Sequence, residues 1–275
     1  MAYFIPPWYR IRADDNTLVF RHGEGYTVFE GASVVPAVKA VTEKLLETKD
    51  SNKTIEAFDE SSRPVAREII NKLVQLHLAI EACGEQSPTA MSLMEKIGGI
   101  ISMEEIESSL KKQRVAVVSD HTLPEVAAAV LKRLLEDVVF VDEVSPENAD
   151  AELGNIEQER MIVCAPSSEN SKLLSTVNRW ALKNSRSWMQ VLPFNGTYAT
   201  VGPLFIPGET GCYNCFRLRT LSASRSVSEA IAFERGTELP GQELTTEAWA
   251  SPAETTVTWA TAVGLLQQEA LDLSN

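Results

Sequence analysis

No apolar run in this sequence approaches the roughly 20 residues that a membrane-spanning helix needs. The stretches Val115 to Val118 and Val138 to Val141 each stop after four. Cysteine is scarce, four in 275 residues, and only Cys212 and Cys215 stand close together. That excludes a disulfide framework and predicts a reducing, cytoplasmic setting. Residues 1–12 lack a basic stretch leading into an apolar core, which argues against a secretion signal. Positive charge is also short: 25 Lys and Arg stand against 38 Asp and Glu, for a net charge of −13. A field of that sign opposes binding to nucleic-acid phosphates. What is present is ordinary globular usage, 44% apolar and 23% charged, in a length that suits two domains each with its own core.

Along the chain the rhythm changes once. Short β-prone runs at Tyr9–Arg12, Thr17–Arg21 and Tyr26–Phe29 are separated by Asp14-Asp15-Asn16 and Gly23-Glu24-Gly25, the pattern of a small antiparallel meander. After Pro36, Val38, Val41, Leu45 and Thr48 recur at helical spacing. Thr54 to Phe58 is a short helix candidate. A further helix is predicted from Ser62 as cap and Pro64 in the first turn, with Val65, Ile69, Leu73, Leu76 and Ile80 along one face. Three strands and two or three helices within residues 1–85 match the size of a winged-helix domain. Residues 86–112, interrupted by Gly98-Gly99, read as a helical connector. Residues 113–275 then alternate: strand Arg114–Ser119, helix Pro124–Leu135, strands Val138–Val141 and Met161–Cys164, helix Ser168–Lys183, strand Trp188–Leu192. That is an α/β layered domain with a mostly parallel sheet, α+β for the chain as a whole. Asn195-Gly196 predicts a two-residue hairpin, with Pro193 at a sheet edge. Residues 221–251, including Pro240-Gly241, read as a long loop before a last helix from about Ala253 to Leu271.

Three features carry chemistry. Cys212-Tyr213-Asn214-Cys215 follows Gly208 and Gly211, and two intervening residues let both thiolates reach one tetrahedral metal, zinc above all. A closed site needs four ligands, however, and Cys83 and Cys164 fall within other expected elements. Cys164 ends an apolar strand and reads as a buried thiol. The competing readings are a chance pair of reduced cysteines and a redox pair. The latter is disfavoured because redox pairs open a helix after a strand. Second, Ser119-Asp120-His121-Thr122-Leu123-Pro124 stands where a glycine-rich loop would cradle phosphates. It has no glycine and adds a carboxylate, so nucleotide binding is not expected there. His121 is a general-base candidate by residue type, weighed against a merely solvated loop histidine. His22 and His77 have no identifiable partner.

The third feature is the N-terminal module itself. Winged helices commonly read DNA, yet Met1 to Cys83 holds 10 basic and 12 acidic residues. The favoured use is therefore β-augmentation, in which an extended peptide pairs with a free strand edge. Tyr26, Thr27, Val28 and Phe29 would supply the strand, and Ile69, Lys72, Leu73 and Leu76 the neighbouring helix.

The segment Val201-Gly202-Pro203-Leu204-Phe205-Ile206-Pro207-Gly208-Glu209-Thr210-Gly211-Cys212-Tyr213-Asn214-Cys215-Phe216-Arg217-Leu218-Arg219 resembles the signature of the ThiF-like leader-peptide-binding subunits of azoline-forming cyclodehydratases, which serve thiazole/oxazole-modified peptide and bacteriocin biosynthesis. The resemblance continues upstream through Met161 to Asn195 and covers the N-terminal domain by layout. It implies a winged-helix-like recognition domain joined to a degenerate ThiF-like α/β domain. Its implied role is a noncatalytic scaffold that grips the leader of a ribosomal precursor peptide and presents the core to a YcaO-type partner, where ATP is used. Structural zinc at Cys212 and Cys215 is implied with it. Two departures stand out. ThiF-like adenylating enzymes use a Gly-rich loop and an Asp after the strand matching Met161–Cys164, where this chain has Ala165-Pro166-Ser167. The family's second cysteine pair, near the C-terminus, has no counterpart before Asn275, which leaves the remaining zinc ligands to a longer chain or a homodimer, or the site incomplete. The alternative functions are a ThiF-like adenylyltransferase acting on a peptide carboxylate and, below it, a zinc-dependent DNA-binding regulator.

Overall fold

Strands β2 (Arg10–Ala13), β3 (Thr17–His22) and β4 (Gly25–Glu30) form an antiparallel sheet in the order β2-β3-β4. Asp14 accepts hydrogen bonds from the Asn16 and Thr17 amides at 2.8 and 2.7 Å and so closes the first turn with its side chain. Gly23, at φ +56°, closes the second, where a left-handed residue matches the strand twist. The structure is a computed structural model and describes residues 2–81, 87–96, 101–169, 171–235 and 251–272. Cys83, Gly98-Gly99 and Pro240-Gly241 lie outside the described residues. The chain has a mixed α/β fold and divides into two units, Met1–Ser109 and Leu110–Asn275.

In the first unit, β1 (Tyr3–Phe4) pairs antiparallel with β5 (Ile80–Glu81), a small sheet that local periodicity does not announce. Helix α1 (Val35–Thr48) starts with Pro36 and buries Val38, Val41 and Leu45. It ends where Lys49 turns left-handed and its amide bonds the Leu45 carbonyl. Helix α2 (Ser51–Glu56) is capped by Asp50, whose side chain accepts from the Asn52 and Lys53 amides. Helix α3 (Arg63–Gln75) departs from the sequence reading in three ways. Ser62 stands at its start but makes no side-chain cap. Asp59 serves that turn instead, accepting from the Ser62 amide at 2.8 Å. The buried stripe is Ala66, Ile70 and Leu73, whereas Val65 is 51% exposed. The predicted face was rotated because Val65 and Ile69 outrank Ala66 in hydrophobicity, yet it is the small residue that packs close. Finally, the helix stops before Ile80: His77 turns left-handed at φ +57°, and the Leu78 amide returns to the Leu73 carbonyl. Phe20, Leu18, Leu45, Leu73 and Leu78 form this unit's core. Helices α4 (Pro88–Lys96) and α5 (Met103–Lys112) follow, burying Ala90, Leu93, Met103 and Ile106.

The second unit is a five-stranded sheet with helices on both faces. Its strands are β6 (Arg114–Ser119), β7 (Asp137–Val141), β8 (Met161–Ala165), β9 (Trp188–Leu192) and β10 (Thr200–Phe205), in the order β10-β9-β8-β6-β7. All neighbours are parallel except β9 and β10. Strand β6 alternates its apolar residues between two cores. Ala116 and Val118 face α7 (Ala149–Gly154) and α8 (Lys172–Asn184); Val115 and Val117 face α6 (Glu125–Leu134) and α11 (Pro252–Asp272). Burial on both faces is why β6 and β8 read as continuous apolar runs. At the amino ends of the strands, Arg160 grips Asp137 through two hydrogen bonds of 2.7 and 3.2 Å. Two sequence expectations fail here. Asn195-Gly196 is not a two-residue hairpin, because β9 and β10 pair Leu192 with Thr200 across a longer loop. In that loop Asn195 accepts from the Thr197 and Tyr198 amides. Residues 221–251 are not loop throughout: α9 (Tyr213–Ala223) and α10 (Val227–Arg235) occupy the first part.

Candidate functional site

The edge of β4 is built by its turn. A two-residue connection through Gly23-Glu24 makes the flanking His22 and Gly25 a hydrogen-bonded pair, and pairing then alternates along the hairpin. Thr27 and Phe29 therefore bond to β3, as the Gly31 amide does to the Asn16 carbonyl further along. The N–H and C=O groups of Tyr26, Val28 and Glu30 point away from the sheet, and no described strand pairs with them. Side chains follow a separate alternation. Thr27 and Phe29 face inward, Phe29 meeting Phe20 edge-on at 5.9 Å. Tyr26 and Val28 stand on the outer face, 61% and 47% exposed, with Arg21 stacked over the Tyr26 ring.

The predicted peptide-binding residues thus divide. Phe29, Ile69 and Leu73 share one apolar cluster, with Leu73 buried and the other two half-buried at its surface. Lys72 on α3 and Leu76, just past its end, are exposed. Tyr26 and Val28 contribute edge-facing backbone rather than groove-facing side chains. The helix packed against β3 and β4 is α1. Sequence reasoning missed which amides face the edge, although the signal was present in the length of the Gly23-Glu24 turn.

Cys212 caps α9 and Cys215 lies in its first turn, their sulfurs 3.8 Å apart. Two thiolates on one tetrahedral zinc, with bonds of about 2.3 Å, are separated by about 3.8 Å, so the pair fits half of such a site. Among the described residues no group of three or more His, Cys, Asp and Glu could hold a metal. The Cys215 amide, donating to the Cys212 sulfur, lowers the Cys212 pKa and favours the thiolate. The mouth of the helix is fixed by the Tyr213 amide, which donates to Asn178 at 3.0 Å, and by Phe205 against Tyr213 and Phe216. The premise that this pair does not open a helix was wrong, since α9 begins at the first cysteine after β10. Cys164, by contrast, is buried, and burial pushes its pKa well up.

At the carboxyl ends of β6 and β8, Asp120 gathers the local donors. It accepts from the Ser167 amide at 2.7 Å, from the Ser167 hydroxyl at 3.2 Å and from the Ser171 hydroxyl. His121 Nδ1 lies 3.1 Å from the same carboxylate and 2.7 Å from the Ser119 hydroxyl. Burial alone would raise the Asp120 pKa, but the hydrogen bonds from His121, Ser171 and the Ser167 amide overcome it and hold the value below normal. The groups that could grip a phosphate here are spent on an internal carboxylate. Spacing in sequence could not reveal this cluster, because Ser167 and Ser171 reach it only through the β6–β8 pairing.

No protein-family model and no curated protein matches this chain. Solved structures do. A heterocyclase in complex with substrate and cofactor aligns over 99% of this chain and 34% of its own, at 17% identity and a TM-score of 0.71. The heterocyclase TruD aligns over 99% and 37%, at 20% identity and a TM-score of 0.67. E. coli MccB, solved with ATP, aligns over 98% and 90%, at 12% identity and a TM-score of 0.57. This chain shares their fold. It spans about a third of the length of the two heterocyclase chains. No helix among the described residues is long and apolar enough to cross a membrane.

Proposed function

We propose that this chain is the leader-peptide-binding, noncatalytic part of an azoline-forming cyclodehydratase. In this reading the first unit is a winged-helix-like module that takes the leader of a ribosomal precursor peptide as a fourth strand on β4. The second unit is a degenerate ThiF-like scaffold, and ATP chemistry belongs to a YcaO-type partner. The observation that carries the reading is the open edge of β4, with Phe29 and Ile69 half-buried on the same cluster, in a chain that shares its fold from end to end with heterocyclases. Strand addition draws affinity from main-chain hydrogen bonds and specificity from pockets for alternate side chains. The backbone of Tyr26, Val28 and Glu30 supplies the first and the Phe29–Ile69 surface the second. Cys212 and Cys215 would provide two of the four ligands of a structural zinc, the others coming from elsewhere, a second copy of the chain included.

Binding of a fluorescent leader peptide, taken from a short neighbouring precursor gene, tests this reading. Wild-type protein should bind in the micromolar range or tighter, and Val28→Pro should weaken binding at least tenfold with the fold intact. That substitution removes an edge-facing N–H while leaving the Thr27 and Phe29 bonds to β3. Failure of the folded wild-type protein to bind would overturn the reading.

A second reading has one observation in its favour: the alignment covers 90% of MccB, a chain solved with ATP. Under it this chain would be an adenylyltransferase. The glycine-free loop at 119–124 and the self-satisfied Asp120 weigh against it, and a MgATP titration separates the two.

A further inference from the structure

A cavity of about 240 Å³ opens beside the carboxyl ends of β6, β8 and β9, and the leader-binding reading makes no use of it. Its position is where open α/β sheets receive ligands: β6 leads outward to β7, the chain then crosses back to β8, and the crevice lies at that switch. Leu123, Val191, Phe194 and Trp259 make apolar walls. An apolar cavity of about 150 Å³ accommodates one benzene, so this one has room for roughly two fused rings.

The polar groups decide what kind of ring. Glu125 lines the cavity from the first turn of α6, where a phosphate would need to sit, and places a carboxylate there instead. The Ser167 amide and the Ser171 hydroxyl are engaged by Asp120. An anion therefore meets one negative charge and donors already taken. His121 offers something different. A carboxylate only accepts, so in the neutral ring the proton sits on Nδ1, between Asp120 at 3.1 Å and Ser119 at 2.7 Å. That leaves Nε2 as an acceptor on a residue that lines the cavity, with no partner among the described residues. We propose that this cavity is a binding site for one aromatic ring system that carries an N–H or O–H donor, an indole or a phenol, and not for a nucleotide. The ring lies between Leu123, Val191 and Trp259 and donates to His121, whose orientation Asp120 fixes.

Titration of the full chain with indole and with 1-methylindole, followed by calorimetry or ligand-detected NMR, tests the assignment. Indole should bind with a submillimolar Kd, and 1-methylindole, more apolar but unable to donate, about tenfold more weakly, the worth of one buried hydrogen bond. His121→Ala should bring the two to equal affinity, which a purely steric effect of the methyl group would not do. If that variant fails to fold, His121→Phe, which keeps an aromatic ring without the acceptor, makes the same comparison. Tryptophan blocked at both termini distinguishes the sources of the ring: binding as tight as indole points to a peptide side chain, and binding of indole alone to a free small molecule. Equal affinities for indole and 1-methylindole in the wild type, no binding of either at millimolar concentration, or tighter binding of adenosine or ATP would overturn the proposal. The leader titration is independent of all these outcomes.

Discussion

Along β4 the backbone of Tyr26, Val28 and Glu30 turns its hydrogen-bonding groups outward; at the carboxyl ends of β6 and β8 the equivalent groups are turned on one another. Both places sit where their folds ordinarily accept ligands, a sheet edge in the first unit and a topological switch point in the second. In the first, the Gly23-Glu24 turn sets a register that faces these groups outward, and no described strand pairs with them. In the second, Asp120 already accepts from the Ser167 amide and hydroxyl and from the Ser171 hydroxyl.

The largest effect that bears on this contrast is expected at Leu73, which is 0% exposed in the apolar cluster that Phe29 and Ile69 pack against. Leu73→Ala should cost about 2–5 kcal/mol of stability in the first unit by leaving a cavity. Chemical denaturation with leader binding measured in parallel would show whether the peptide surface depends on that core. Asp120→Asn should be next, at about 1–3 kcal/mol, because it weakens several hydrogen bonds to a half-buried carboxylate. The same group sets a pH dependence. Its folded pKa lies below the unfolded value, so its contribution is complete above the ordinary carboxylate range near 4 and is lost as pH falls through the lower folded value. Denaturant midpoints in acid should show a shallower loss for Asp120→Asn than for the wild type. If Asp120→Asn also gains MgATP binding, the closed site is closed by this residue alone; no gain means the glycine-free loop suffices.

Smaller effects test the chemistry and the packing. Under a thiol reagent Cys212 should react well before Cys164, since a helix-terminal thiol with a lowered pKa is compared with a buried one whose pKa is raised. Mass spectrometry of the labelled peptides checks the order, and zinc should protect Cys212 if it binds there. Val65→Lys should change stability by no more than about 0.5 kcal/mol. Val65 is 51% exposed, so a large loss would restore the helix face that periodicity favoured over the one the structure shows.

Much of the layout was legible in the sequence because the cores impose strong local patterns. The runs in β6 and β8 are buried on both faces, α1 carries an unbroken apolar stripe, and the turns of the meander use Asp and Gly for identifiable reasons. Legibility failed where tertiary contacts decide. The α3 face turns on a small residue, Ala66, whose burial cannot be ranked by hydrophobicity. Asn195-Gly196 sits in a wider loop because Asn195 bonds that loop internally. At the candidate sites, residue types were readable but partners were not. His121 reads as a solvated loop residue until Ser119 and Asp120 are seen to hold its ring, and Asp120 meets Ser167 and Ser171 across 47 and 51 positions of chain.

Amide hydrogen exchange with and without leader peptide, and with and without MgATP, tests the contrast most directly. The leader should slow exchange at Tyr26, Val28 and Glu30 and leave the already bonded Thr27 and Phe29 little changed, and MgATP should protect nothing at residues 119–125. Protection by MgATP at 119–125, or a bound leader that leaves the β4 edge exchanging freely, would contradict that contrast.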